Sequence, residues 1–464
     1  MTAGGPRAVR EAAVVGPGPA GSARARWPIP VLTVLGALAT VALAWRDLRP
    51  AIHVVEPTAA NRELDQLRDF RDATYFPVQE LLAGGNPYRP DVMLGSWPVG
   101  QIFKLYQPYH LVLHLPFGLG SYGLGALAFS VVSLLLLVVL AVLGATRLRR
   151  WVPVPVLTAT AVGSAVLLFG QLGKAQLYVG QINPLIAVGT AGALIARRAH
   201  PAWASVALGV AWIKPQFGLP LALLLAARGS PRVALAGTAV AAAASLPVVA
   251  LLVVREGGVG GFFDAVRANL AYAGEVGAFD ASRSYRVDLS ATVFRVTGWA
   301  PPAAELVTMV AVLGLSAWVL RGLVRRERTG GDDAPVAAVL ADLLVGMAVV
   351  TAIVHQPGDL LVTFPATVAA AGLWVALGNR TGAAVSRPLL GASIALISVP
   401  YLHVHQVDDV VTTVLGPGVA DVMDGVAIVA AWVVVLILAV GAGRQPKVRT
   451  ATGLAGSTTE PGRK

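Results

Sequence analysis

The sequence predicts an all-α, polytopic membrane protein of about 12 crossings, with outer-face loops and short interfacial helices. Three observations lead there. Of 464 residues, 56% are apolar and only 13% charged, too few charges to cover a soluble protein of this size. Mean hydropathy is +0.69. The basic residues behind the formal net charge of +11 stand in short clusters between apolar runs, which is how membrane topology is written and not how a nucleic-acid surface is built. The chain has no cysteine, so disulfides, thiol catalysis and Cys-bound zinc are excluded.

Residues 1–26 are rich in Gly, Ala, Pro and Arg and read as a disordered cytoplasmic N-terminus, with Arg7, Arg10, Arg24 and Arg26 holding it inside. The apolar run Pro28 to Ala44 is followed by Trp45, Arg46 and Asp47 without an A-x-A-like cleavage site, so it reads as a retained first span. Residues 27–442 then form one transmembrane unit, with a first outer loop at 46–107 and a large outer loop at 255–302. Apolar runs lie near Leu124–Leu143, Pro153–Phe169, Ile182–Ala196, Ala202–Ala227 and Val233–Val254. Others follow near Ala303–Leu320, Pro335–Val354, Leu360–Leu377, Leu389–Leu402 and Val426–Val440, before a polar, disordered cytoplasmic tail at 443–464.

Ala202–Ala227 presents the one topological choice. A single crossing would put Arg228 and Arg232 outside and invert every later basic cluster. A break at Lys214-Pro215, where proline removes an N–H and clashes with the preceding turn, returns all of them to the inside. The sequence therefore predicts a hairpin with its tip at Lys214, the kind of broken helix tolerated where it lines a cavity.

On this map the outer side collects most of the unusual polar residues. Its sharpest segment runs from Asp69 to Tyr88, D-F-R-D-A-T-Y-F-P-V-Q-E-L-L-A-G-G-N-P-Y. Pro77 suits a helix start and Gly84-Gly85 a stop, so Pro77–Ala83 is expected as an interfacial helix with Val78, Leu81 and Leu82 on its apolar side and Gln79 and Glu80 in solvent. Taken alone, either acidic residue before it is more often a solvated loop group than a catalyst. His403, His405, Asp408 and Asp409 have the composition of a metal cluster, but their spacing is a weak signal and no metal is assigned.

An acidic residue shortly before Tyr75, followed by L-L-A-G-G-N-P-Y after a first span, resembles glycosyltransferase family 87. Tyr106-Gln107-Pro108, Gly180-Gln181-Ile182-Asn183 and Lys214-Pro215 follow in the family's order, so the likeness spans about Val31 to Phe364. Two departures stand out: Asp69 and Asp72 compete for the single acidic position, and Ile353 to Gly358 replaces a stretch where the family carries Trp and His after Ser-Pro.

The resemblance implies a GT-C-like helix bundle in the plasma membrane with its active site on the extracytoplasmic side. The implied reaction moves a hexose, mannose first, from a polyprenyl-phosphate donor to a glycolipid or glycan acceptor, with inversion. It implies no cofactor, since such a donor carries its own activation, although a divalent cation stays open. Asp72, or else Asp69, is the expected general base. If the two share a helical turn, their proximity raises one pKa. Lys214, assisted by His355 or Arg267, is expected to hold the departing phosphate. Tyr75, Tyr106, Tyr109 and Tyr88, with Gln107, Gln181, Asn183 and Asn86, are expected to cradle sugar and lipid. Two other classes stay open at this stage. A transporter or flippase would show solute flux, and a non-catalytic envelope scaffold would be indifferent to Asp69→Asn or Asp72→Asn.

Overall fold

The computed structural model describes residues 28–101, 106–275, 286–331, 333–378 and 385–444, and the expected disordered N-terminus and nearly all of the polar tail lie outside them. The described residues are helical with no strand. Seven helices are long and apolar enough to cross a membrane: Ile29–Ile52, Tyr122–Leu148, Pro231–Arg255, Ala304–Thr329, Ala334–Ala352, Pro357–Leu377 and Pro417–Gly443. Two bent pairs, Val156–Phe169 with Gln171–Val179 and Arg387–Leu402 with Val407–Leu415, raise the total to nine at most. The remaining three expected segments are the shorter helices Asn183–Ala196, Pro201–Ala211 and Pro215–Ala227.

Burial ranks these helices. Ile29–Ile52 packs on one side only, whereas Ala334–Ala352, apolar on every side except at Asp342, is 83% buried and forms the centre of the bundle. The first helix runs on to Ile52, past the boundary expected at Arg46. Arg46 and Asp47 pair at 2.6 Å and Arg46 also donates to the Leu168 carbonyl, so the helix continues through both charges at little cost. Gln171–Val179, expected as a connection between spans, is a short helix bent 65° from the one before it.

The Lys214 hairpin is present. Pro201–Ala211 leads to Lys214, whose extended backbone (φ −105°, ψ 107°) reverses the chain into Pro215–Ala227. Gly218 lets the chain fold back, since a Cβ there would lie 2.4 Å from the Trp212 ring. The two ends are fastened together: Arg197 Nη2 donates to Glu327 Oε2 at 2.7 Å, and Arg228 Nη2 donates to Glu327 Oε1 at 3.0 Å. Arg228 and Arg147 also both bind Asp342. At 14, 11 and 13 residues the three short helices are roughly 17–21 Å long, less than the ~30 Å of hydrocarbon a full span crosses. The turn around Lys214 is thus recessed, its irregular backbone enclosed by protein.

Candidate active site

Four buried side chains are wired in series at the Lys214 end of the bundle. Lys214 Nζ donates to Asn183 Oδ1 at 2.7 Å, and Asn183 Nδ2 donates to Asp359 Oδ1 at 2.8 Å. Asp359 Oδ2 accepts from His355 Nδ1 at 2.9 Å. Each is placed by local sequence. Asn183-Pro184 opens a helix after Gly180 in the left-handed conformation, and Lys214 precedes a Pro-initiated helix. Asp359 is held by a capping box in which the Gln356 backbone N–H donates to it at 3.0 Å. The His355 ring stands edge-on to Phe217, 4.4 Å between centroids, and its Nε2 has no hydrogen-bond partner among the described residues.

The Tyr106 ring lies 5.4 Å from Lys214 Nζ, the only cation–π partner of this lysine among the described residues. Its carbonyl accepts from the Tyr88 hydroxyl at 2.6 Å, and the next backbone N–H, of Gln107, donates to the Ile213 carbonyl at 3.0 Å. Gln181 receives a short bond from Asn183 Nδ2. No carboxylate pairs directly with Lys214 among the described residues, so a 95%-buried ammonium rests on neutral groups. Asp359 acts on it at one remove, through Asn183.

The acidic segment sits beside this network. Leu67 N–H donates to the Tyr178 carbonyl at 2.7 Å, and a Cβ on Gly180 would fall 2.6 Å from Phe70 Cβ. Gly180 (φ 72°) therefore admits both the turn and the close approach of the acidic segment. Residues Arg71–Tyr75 form a π-helical turn, and Asp69 and Asp72 meet through one residue. Gln101 gives its backbone N–H to Asp72 Oδ2 at 3.1 Å and its side-chain amide to Asp69 Oδ1 at 3.0 Å.

The two carboxylates differ in environment. Asp72 is fully buried, bound by Arg71 Nε at 2.6 Å and Nη2 at 3.1 Å and by Gly100 N–H at 3.2 Å. Burial raises its pKa to about 6 against the opposing pull of Arg71, and Asp69 is not the cause of the shift. Asp69 is only partly buried and accepts from the Gln101 side chain.

The other expected residues fall around these groups. Tyr75 packs with Phe70, Phe76 and Tyr122 and bonds the Gly120 carbonyl. Tyr109 bonds the Gly209 carbonyl, Gln107 accepts from Ser245, and Asn86 ties Glu256 to the Tyr88 backbone. Arg267 is exposed and pairs with Asp264 one turn away. The interfacial helix runs Phe76–Leu82, but Glu80 is buried, where it accepts from Trp97 Nε1 at 2.7 Å, and Leu82 is the exposed residue. His403 lies between Asp408 and Asp424, and among the described residues no three His, Cys, Asp or Glu side chains group as metal ligands.

Sequence reading places Asp359 with His355 and Gln356 on the outer face but gives it no role, although its place four residues after His355 is the visible signal. It also missed His110, whose Nε2 lies 2.8 Å from the Ala73 carbonyl and whose ring meets Tyr106 edge-on and His114 at a tilt. Burial holds both histidines neutral, His110 well below its usual value and His114 at about 4.

The sequence model of glycosyltransferase family 87 matches residues 105–351. The chain belongs to that family, and the match takes in Tyr106, Gln181, Asn183 and Lys214 but begins after the acidic segment. Comparison with curated proteins gives no match. Comparison with solved structures likewise gives none.

Proposed function

We propose that this membrane glycosyltransferase moves a hexose, mannose first, from a polyprenyl-phosphate donor to a glycolipid or glycan acceptor on the outer face, by a single inverting displacement. The observation that carries the reading is the buried Lys214 ammonium, whose direct partners among the described residues are neutral. A donor phosphate would pair with it. Asp359 orients the histidine and, through Asn183, the lysine.

The partly exposed Asp69 is the base in this reading, because Gln101 occupies one of its oxygens and leaves the other to an acceptor hydroxyl. Asp72, enclosed by Arg71 and two backbone N–H groups, fixes the segment that carries it. The acceptor oxygen bonds to the anomeric carbon as its proton passes to Asp69. The bond from that carbon to the phosphate oxygen breaks, and the electron pair leaves with polyprenyl phosphate, whose charge Lys214 meets.

The test is transfer from radiolabelled polyprenyl-phosphate-mannose to membrane glycolipids by purified protein, with Asp69→Asn, Asp72→Asn and Lys214→Ala compared. Transfer lost in Asp69→Asn and weakened in Lys214→Ala supports the proposal. Transfer retained by Asp69→Asn but lost in Asp72→Asn would reverse the two carboxylates. No transfer from any polyprenyl-phosphate sugar by folded protein would overturn it.

A further inference from the structure

At the end of the bundle opposite Lys214, a cavity of about 530 Å³ opens among Arg197, Arg198, Arg228, Arg232, Arg328 and the helix start at Ser230. We propose that this cavity binds a phosphate group, as a phospholipid headgroup or a soluble phosphate. It makes no use of the transferase reading.

Charge balance argues first. The cluster of Arg147, Arg197, Arg198 and Arg228 has two carboxylates to share, Glu327 and Asp342. Arg232 and Arg328 also line the cavity or its rim, with no carboxylate partner among the described residues. Among the described residues, five guanidinium groups thus line the cavity, and the carboxylates paired with them are Glu327 and Asp342. The positive-inside rule accounts for arginines scattered along a membrane face, but it does not call for several of them around one hollow.

Geometry argues second. Arg228 is 1% exposed, and its Nε has no hydrogen-bond partner among the described residues. It lines the cavity with its terminal nitrogens held by Asp342, Glu327 and the Ala338 carbonyl, carboxylates it must share with Arg147, Arg197 and Arg198. Ser230-Pro231-Arg232 opens the 25-residue helix Pro231–Arg255, so first-turn N–H groups and the positive end of its dipole meet the same space. Gly229 (φ 80°) brings the Arg328 guanidinium close, since a Cβ there would lie 2.6 Å from Arg328 Nη2.

The test uses delipidated full-length protein in neutral detergent, titrated with dioctanoyl phosphatidic acid, inorganic phosphate and, as control, dioctanoyl phosphatidylcholine. Native mass spectrometry and thermal shift read the binding. Arg232→Gln and Arg328→Gln remove exposed cavity arginines and spare the buried network, while Arg149→Gln and Arg150→Gln remove equal charge from the same end outside the cavity. The expected result is saturable binding of phosphatidic acid, weakened about tenfold by each cavity substitution and unchanged by the other two. Binding of inorganic phosphate as well identifies a soluble phosphate as sufficient; binding of the lipid alone identifies the headgroup. Equal weakening by all four substitutions, or no saturable binding of either phosphate probe, would overturn the proposal.

Discussion

Lys214 Nζ and Asn183 Oδ1, 31 residues apart, meet at 2.7 Å because two helix starts are brought to one recessed point. The bond joins the hairpin tip to the Gly180–Asn183 turn, and Asn183 passes it on to Asp359. A buried lysine is rare, and here its direct hydrogen-bond partner is an amide and not a carboxylate.

Lys214→Ala is expected to lower transfer by about 10²–10³-fold, the range for loss of one preorganised charge stabiliser. Lys214→Arg, which keeps the charge but not the geometry toward Asn183, should recover only part of it. Steady-state rates with the lipid donor decide this, and full activity in Lys214→Ala would refute the role.

Asp72→Ala and Asp69→Ala should separate in stability. Removing Asp72 leaves the buried Arg71 guanidinium unpaired, at a cost of roughly 3–5 kcal/mol, whereas the partly exposed Asp69 should cost less than about 1 kcal/mol. Denaturation of the two variants in detergent gives the comparison. Equal destabilisation would contradict the difference in environment.

The pH dependence carries a definite sign. Folding raises the Asp72 carboxyl from 3.8 to about 6. Between those values the folded chain holds the proton more tightly than the unfolded chain, so acidification over that window adds stability at this site. Activity that needs the ionised Asp72–Arg71 pair is thus expected to fall as pH drops through about 6 while the unfolding temperature holds. Parallel pH profiles of rate and unfolding temperature check this, and a rate that falls only where the protein melts would count against it.

Gly180→Ala should disturb the site more than Gly84→Ala. Both glycines have positive φ, but a Cβ at 180 would meet Phe70 at 2.6 Å whereas one at 84 meets nothing within 4 Å. About 1 kcal/mol is expected at Gly84 and several times that at Gly180, with loss of transfer as the acidic segment is pushed away. Similar unfolding temperatures for the two variants would show that the close approach does not matter.

Sidedness is testable because the native chain has no cysteine. Ala268→Cys, exposed on the helix Val259–Glu275, should react with an impermeant maleimide on intact cells. Arg149→Cys, exposed at the arginine-rich end, should react only after permeabilisation. The reverse pattern would invert the membrane orientation.

The sequence by itself determined the membrane class, the apolar segments and the hairpin at Lys214. Those depend on hydrophobicity, proline chemistry and the spacing of Arg197 and Arg228, all local in the chain. It also singled out Lys214, Asn183, Gln181, Tyr106 and His355, which the fold brings together. Tertiary structure alone decided how they connect. Asp359 becomes their link because it lies 176 residues from Asn183 and yet within 2.8 Å of it, a relation no local pattern records. The same holds for the two aspartates, identical in type and three residues apart, which differ because burial and Arg71 enclose one and leave the other partly open to solvent. A sequence lists charges; desolvation, which sets what each charge can do, depends on what packs around it.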